Sequence, residues 1–141
     1  MKQILFILIV AMTCLPGCVR ESIPIPAAKQ LTGRTWVLHA YGQDSDGNGQ
    51  IDQFENLVQP CETDNRYIFR PDGTGTVYDH VLSCPAGVPE FSFTWTLSHH
   101  DSILDLQYSV NRMLRLDEHE LIIYPENQSN DPVKWLTVFR P

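Results

Sequence analysis

Basic residues are scarce in this chain of 141 residues, and the motifs of the common enzyme classes are missing. Ten Lys and Arg residues stand against 17 Asp and Glu residues, which gives a formal net charge of −7 at pH 7. Because nucleic acids attract clustered positive charge, this balance argues against DNA or RNA as a partner. The sequence has no G-x-S-x-G, H-E-x-x-H or phosphate-loop motif. We therefore predict no catalytic and no cofactor-binding residues, and a protein that is not an enzyme.

Two adjacent histidines within residues 99–101 (HHD) would suggest a metal or acid–base site. Neighbouring residues of a strand point to opposite faces of the sheet, so the two imidazoles could not act together on a strand. No third partner can be identified from the sequence. We therefore interpret residues 99–101 as a turn between two strands. The remaining histidines are scattered along the chain: His39, His80 and His119.

The sequence has four cysteines and no C-x-x-C motif, which argues against a redox or zinc site of that type. Cys14 and Cys18 lie in the N-terminal segment, so Cys61 and Cys84 are the pair that remains. If the domain is exported to an oxidising compartment, we expect a Cys61–Cys84 disulfide. The alternative is redox chemistry or metal binding by these two thiols.

One long apolar run, residues 4–15, follows Lys2 and ends at Cys18 in the sequence LPGC. The run is too short to cross a bilayer, which favours a secretory signal peptide. Its Leu-x-Gly-Cys ending resembles the lipobox of bacterial lipoproteins. That resemblance implies cleavage of residues 1–17 and acylation of Cys18, for example with palmitate. The alternative is an ordinary signal peptide that leaves Cys18 as a thiol.

The remaining chain is expected to form one domain behind a short linker. Residues 18–30 contain Pro24 and Pro26 and no periodicity, which predicts an extended, lipid-anchored linker before a domain at residues 31–141. Val19 follows the predicted lipid site, where an aspartate is associated with retention in the inner membrane. We therefore expect the protein to be anchored in the bacterial cell envelope, at the outer membrane. We also expect a monomer.

Strand patterns dominate residues 31–141. FSFTWTLS, residues 91–98, alternates apolar and polar side chains with the period of a half-buried strand. The other predicted strands cover residues 34–42, 66–70, 74–81, 102–107, 111–116, 119–124 and 133–140. RPDGTG and LDEHE read as hairpin turns. About eight short strands predict an all-β fold, a small antiparallel up-and-down barrel, with one short helix near residues 52–58.

Three tryptophans fall on predicted strands, where they could fill the core or line a ligand cavity: Trp36, Trp95 and Trp135. A barrel of this size has little spare interior and each tryptophan occupies much of it, so we favour the core.

Several segments together resemble the lipocalin-like domain of bacterial lipoproteins. They are LTGRTWVLHAY, the acidic loop after it, CETDNRYIFRPDGTGTV, a second cysteine and FTWTL, and the resemblance covers most of residues 31–141. It implies the barrel fold and, by analogy, the binding of a small hydrophobic ligand. The positions that match the family pattern are Gly33, Trp36, Cys61, Asp64, Tyr67, Phe69, Asp72, Gly73, Thr74, Cys84, Trp95 and Leu97.

The acidic loop at residues 44–55, DSDGNGQIDQFE, matches the calcium-loop pattern D-x-[DN]-x-[DN]-G-x5-E throughout. Such EF-hand loops normally lie between two helices, whereas a strand is predicted before this one. Ligand geometry resides in the loop itself, so we predict a weak calcium site. The alternative is a solvated acidic turn. The expected ligands are side-chain oxygens of Asp44, Asp46 and Asn48, the carbonyl of Gln50, Asp52 through a water, and both oxygens of Glu55.

These features predict an envelope lipoprotein whose barrel binds a small apolar ligand or another envelope component, with calcium held in the acidic loop. The competing hypothesis is a structural or interaction module with a filled core, in which calcium only stabilises the fold. A cavity with an open mouth would favour ligand binding, and a packed interior would favour the structural module.

Overall fold

A computed structural model describes residues 25–79, 82, 84 and 89–141. None of the helices in these parts of the chain is long and apolar enough to cross a bilayer. Two short 3-10 helices occupy Pro60–Glu62 and Glu126–Gln128. The remaining elements are α1 (Ala27–Thr32), β1 (Thr35–Asp44), β2 (Arg66–Phe69), β3 (Thr74–Tyr78), β4 (Glu90–Ser98), β5 (Ile103–Leu106), β6 (Ser109–Leu116), β7 (Leu121–Pro125) and β8 (Lys134–Arg140).

The eight strands form a closed antiparallel barrel. Each strand pairs with the next one in the sequence, and β8 returns to pair with β1. This is the up-and-down barrel that the alternating patterns predicted, and each predicted strand corresponds to an observed one. β1 continues two residues beyond its predicted end, so that Asp44, the first residue of the acidic loop, is also the last residue of the strand.

The short helix predicted near residues 52–58 is wrong. These residues form one turn, in which the Asn56 N–H donates to the Asp52 carbonyl at 3.1 Å, and the chain then becomes extended. Asn56 forms a bridge with Gly42 of β1, and its side-chain oxygen accepts a hydrogen bond from the Tyr41 N–H at 3.2 Å. The backbone therefore bonds to the barrel wall, which leaves fewer groups to continue a helix.

Residues 27–30, which we expected in the linker, form most of helix α1 instead. The helix offers the barrel one large apolar side chain, Leu31, and so gives no helical periodicity in the sequence. Leu31 is fully buried within the interior cluster, and its carbonyl accepts a hydrogen bond from Trp36 Nε1 at 3.0 Å. The ordered domain thus begins before residue 31.

Helix α1 identifies one end of the barrel, which we call the closed end. The same end holds the start of β1 and the hairpins that follow β2, β4 and β6. α1 contacts β2 and β6, and Arg34, directly after the helix, donates to the Glu118 carbonyl of the β6–β7 hairpin at 2.6 Å. The other end, which we call the open end, holds the last residue of β1 and the connections that follow β3, β5 and β7.

The barrel interior is rich in aromatic rings. Trp36 and Trp95 are buried, as predicted for the core, whereas Trp135 is half-buried against the Tyr41 ring, with 5.5 Å between ring centroids. Phe93 lies against β3 at Gly75, where a Cβ atom would come within 2.2 Å of the ring. Glycine at this position is required because any side chain would displace a buried ring.

The predicted turns are confirmed. Gly73 has a φ of +82°, and hydrogen bonds from Thr74 lower the pKa of Asp72 in the β2–β3 turn, the Thr74 hydroxyl bond contributing most. Residues 99–101 form the tight β4–β5 turn, and all three adopt positive φ values. In the β6–β7 turn, the Asp117 carboxylate accepts hydrogen bonds from the backbone N–H groups of His119 and Glu120.

Candidate functional site

A cavity of about 190 Å³ occupies the open end of the barrel. It is formed by side chains that project inward from β2 to β8, together with residues at the β5–β6 turn. Half of the twelve lining residues are aromatic and five are aliphatic. The lining residues are Tyr67, Phe69, Val77, Phe91, Phe93, Leu104, Leu106, Tyr108, Ser109, Leu121, Ile123 and Phe139.

The chemistry of this lining is apolar and uncharged. Among the lining residues that the structure describes, none carries a formal charge at neutral pH. The rings pack edge to face: Tyr67 and Phe139 lie 4.9 Å apart between centroids, and Phe69 and Phe93 lie 5.4 Å apart. Such packing holds the walls in place, and the empty space can accept an apolar group with little desolvation cost.

Ser109 brings one polar group to the cavity wall. Its hydroxyl oxygen accepts a hydrogen bond from Asn111 Nδ2 at 2.9 Å, and the same nitrogen donates to the Ser109 carbonyl at 3.0 Å. Asn111 is buried, so this pair orients the serine. A hydroxyl that accepts a hydrogen bond still has its own hydrogen to donate. The Ser109 hydroxyl can therefore offer a donor to a ligand that carries an oxygen or nitrogen acceptor, and the lining also contains the hydroxyls of Tyr67 and Tyr108.

Among the described residues, Phe91, at the start of β4, and Tyr108, in the β5–β6 turn, form an exposed part of the cavity lining. Their ring centroids are 5.8 Å apart, and the residues are 42% and 73% exposed. Large exposed rings beside an apolar cavity are typical of an entrance, because a ligand that enters also covers them. Within the described part of the chain, these two rings form the exposed edge of the cavity at the open end.

Tyr67 provides a titratable reporter in the cavity wall. Burial, and to a smaller extent the charge of Glu62, raises the pKa of its phenol. Because the folded state holds this proton more tightly than the unfolded chain, the contribution to stability is constant below about pH 10 and is lost as pH rises through the raised pKa.

We expect the Tyr67 phenol to ionise in a late step, measured by phenolate absorbance during alkaline titration. Tyr67→Phe should remove the late step because it removes the buried phenol. Tyr108→Phe is the control, since that ring is mostly exposed and the late step should remain. A late step that persists in Tyr67→Phe would assign it to another residue.

The predicted disulfide joins Cys61 to Cys84, with Cα atoms 5.2 Å apart. It connects the β1–β2 and β3–β4 segments at the open end. A second link lies nearby, where the Leu82 N–H donates to Asp64 Oδ2 at 3.2 Å. The bond therefore ties two of the connections that surround the cavity end of the barrel.

The acidic loop begins at the buried carboxylate of Asp44. Its two oxygens accept hydrogen bonds from the backbone N–H groups of Asn48 at 3.0 Å and of Gly49 at 2.9 Å. Asp46 Oδ1 also accepts from the Asn48 N–H at 3.1 Å. Gly47 and Gly49 have φ values of +73° and +77°, a region that favours glycine. The first half of the loop thus folds around its own acidic side chains.

Glu55, at the twelfth position, folds back onto the start of the loop. Its Oε1 accepts a hydrogen bond from the Ser45 N–H at 2.7 Å, and its Oε2 accepts from the Asp52 N–H at 3.3 Å. The Asp52 carboxylate in turn accepts from the N–H groups of Phe54 and Glu55. Glu55 thereby bonds to the backbone of Ser45, the residue that follows Asp44 in the sequence.

The donor set of the loop suits calcium, although its carboxylates are engaged with backbone N–H groups. Within residues 25–79, 82, 84 and 89–141, no group of three or more His, Cys, Asp or Glu side chains is placed to hold a metal ion. Calcium prefers carboxylate, amide and carbonyl oxygens, which Asp44, Asp46, Asn48, Gln50, Asp52 and Glu55 all provide. Binding would require the carboxylates to exchange N–H partners for the ion through small local movements.

The loop packs against the outside of the barrel. Ile51 contacts a cluster on the outer wall, and the Glu55 backbone lies so close to Gly42 that a Cβ atom there would approach its carbonyl oxygen to 1.9 Å. This contact explains why β7 is buried on both faces. The outer cluster consists of Ala40, Ile122, Tyr124, Leu136 and Val138.

Some predicted and some unpredicted site residues remain to be placed. Residues 1–24, including Cys14, Cys18 and the proposed signal peptide, lie outside the described residues, as does His80. Ser109, Asn111 and Tyr108 were not identified from the sequence. Their segment, YSVN, gives no motif, because their role depends on where the barrel brings them.

The sequence matches no protein-family model and no curated protein.

Proposed function

We propose that this protein binds a small uncharged ligand inside its barrel, as a lipid-anchored component of a bacterial cell envelope. The observation that carries the proposal is the apolar cavity at the open end, with Phe91 and Tyr108 at its exposed edge. This cavity favours ligand binding over the competing hypothesis of a structural module with a filled core. The resemblance to lipocalin-like domains and the LPGC sequence at Cys18 support the same proposal.

The size and chemistry of the cavity define the class of ligand. A cavity of about 150 Å³ lined by apolar side chains is large enough for benzene. The volume here is about 190 Å³, which suits a single aromatic ring with a small substituent, or a short alkyl chain. A charged group would lose its hydration without a partner in the wall, so the buried part of the ligand is neutral. An acceptor atom would bond to Ser109.

Val77→Phe is expected to weaken ligand binding about tenfold or more, because the added ring occupies the space that the ligand needs. Val110→Phe is the matched control: the same substitution is made on an exposed residue, 48% accessible, outside the cavity lining. The probe is indole, which has one ring system and no charge. Binding is measured from the chemical shifts of the methyl groups of Leu104, Leu121 and Ile123.

Wild type and Val110→Phe should give saturable shifts at the same indole concentrations, and Val77→Phe should not. Indole-3-acetate should bind more weakly than indole, because its carboxylate must be desolvated. Equal affinity of the two phenylalanine variants, or no saturable shift in the wild type, would contradict ligand binding in the barrel.

Calcium in the acidic loop is the second part of the proposal. When bound, the ion would supply two positive charges that hold the loop closed. Its proposed ligands are Asp44, Asp46, Asn48, the Gln50 carbonyl, Asp52 through a water, and Glu55. The fold of the loop supports this proposal, because Glu55 at its end bonds to the Ser45 N–H at its start.

A further inference from the structure

A second concave site lies on the outer wall of the barrel, between the acidic loop and the closed end. This groove has a volume of about 280 Å³. Its apolar base belongs to the outer wall, because Ile122 alternates along β7 with the interior Leu121 and Ile123, and Ala40 and Ile122 both pair with Val138. Gln50 and Ile51 of the acidic loop form one side. Four polar side chains from the barrel strands and the β6–β7 turn also line the groove: His39, Arg115, Glu120 and Arg140.

Two arginines share one carboxylate in this groove. Arg115 forms an ion pair with Glu120 Oε1, and Arg140 Nη2 lies 3.7 Å from Glu120 Oε2. The Glu120 side chain is 15% exposed, whereas the arginine side chains are 49% and 53% exposed. Each guanidinium has five N–H donors, and a single carboxylate cannot use them all. Some N–H donors of Arg115 and Arg140 are therefore left for a ligand in the groove.

The local charge of the groove is positive in a protein of formal net charge −7. Arg115 and Arg140 contribute two positive charges and Glu120 one negative charge. Burial, and next the charge of Arg140, lowers the pKa of His39, while Glu120 acts weakly in the opposite direction. Burial is the main cause of this shift, and the smaller effect of Arg140 places its guanidinium close enough to act on the imidazole. The positive charge of the groove favours an anion.

We propose that this groove is a second binding site, which takes a small organic anion through Arg115 and Arg140. The planar guanidinium matches the oxygens of a carboxylate or a phosphate, and two such groups side by side can hold one anion from two directions. The Gln50 side chain adds an amide from the loop. The site is on the opposite face of the barrel wall from the cavity, so the proposal stands independently of ligand binding in the barrel.

Arg115→Gln should lower anion affinity about tenfold or more, because charge-assisted hydrogen bonds are the strongest polar contacts available. Arg112→Gln is the matched control: Arg112 is on the same strand, also pairs with a glutamate through Nη2 at 2.7 Å, and does not line the groove. The probes are inorganic phosphate, phenyl phosphate and benzoate, with benzyl alcohol as the uncharged counterpart. All titrations use constant ionic strength and no added calcium, and the readout is the imidazole shifts and pKa of His39.

The site is supported if an anion binds saturably and raises the pKa of His39. Arg115→Gln should lose this binding, and Arg112→Gln should keep it. Comparing the two phosphate probes with benzoate shows whether the groove prefers a phosphate or a carboxylate. Arg140→Gln provides a second variant in case the loss of the Arg115–Glu120 pair disturbs the fold, which thermal melts will reveal. No saturable effect on His39, or equal binding in all variants, would overturn the proposal and leave the arginines as a surface ion-pair network.

Discussion

Replacing both Cys61 and Cys84 with serine is expected to lower the free energy of unfolding by about 3 kcal/mol. The bond closes a loop with a sequence separation of 23 residues, and breaking it frees the unfolded chain more than the folded one. For a domain of this size the melting temperature should fall by roughly 10 °C or more. Chemical denaturation gives the free energy directly, and the slope of that transition shows whether the unfolded state has expanded.

Reduced wild-type protein is the appropriate control for the double variant. Reduction breaks the same bond without changing a side chain, so the two should unfold at the same denaturant concentration. Single variants are less informative, because each leaves one reactive thiol. Equal stability of the oxidised and reduced wild type would show that the Cys61–Cys84 bond does not constrain this domain.

Calcium is expected to raise the free energy of unfolding by about 2.7 kcal/mol once its free concentration is about a hundred times the dissociation constant. A single loop of this type should bind with a dissociation constant on the order of 10⁻⁴–10⁻³ M, so the titration must reach tens of millimolar. The melting temperature should rise by several degrees. Magnesium should have much less effect, because it demands a tighter octahedron and releases its waters reluctantly.

Glu55→Gln should abolish most of this calcium effect, because the amide keeps the shape of the side chain and loses its charge. Its remaining oxygen can still accept the hydrogen bond from the Ser45 N–H, so the calcium-free fold should persist. Glu62→Gln is the control: Glu62 also accepts a backbone N–H, from Gln59 at 2.9 Å, but lies outside the loop. Identical wild-type melts with calcium, magnesium and chelator, with no heat of calcium binding, would identify residues 44–55 as an acidic turn.

Strands β1 and β4 could be predicted from the sequence because each is half-buried and alternates. Phe93 and Trp95 face the core and their neighbours face solvent, which leaves a clear period in the sequence. Helix α1 could not be predicted in this way, since a single leucine, Leu31, carries its contact with the core. The helix predicted at residues 52–58 is wrong for a different reason. Their apolar residues suggested a packed helix, yet Phe54 is 93% exposed and Leu57 is 57% exposed.

The two candidate sites differed in how much the sequence could reveal. The acidic loop is local, so its proposed ligands could be named from their spacing alone. The cavity is formed by seven strands, and its existence depends on the sum of the side-chain volumes inside the barrel. We favoured a filled core because three tryptophans fall on strands. Two of them, Trp36 and Trp95, do fill it, and the space remains at the other end.

The position of helix α1 gives the barrel a direction. The chain enters at the closed end, through α1, while the exposed cavity residues Phe91 and Tyr108 lie at the opposite end. Any attachment made through residues before the helix would therefore join the domain at its closed end. With the lipid anchor that we propose at Cys18, the linker and the exposed cavity residues would lie at opposite ends of the barrel. A ligand would then reach the cavity without passing the point of attachment.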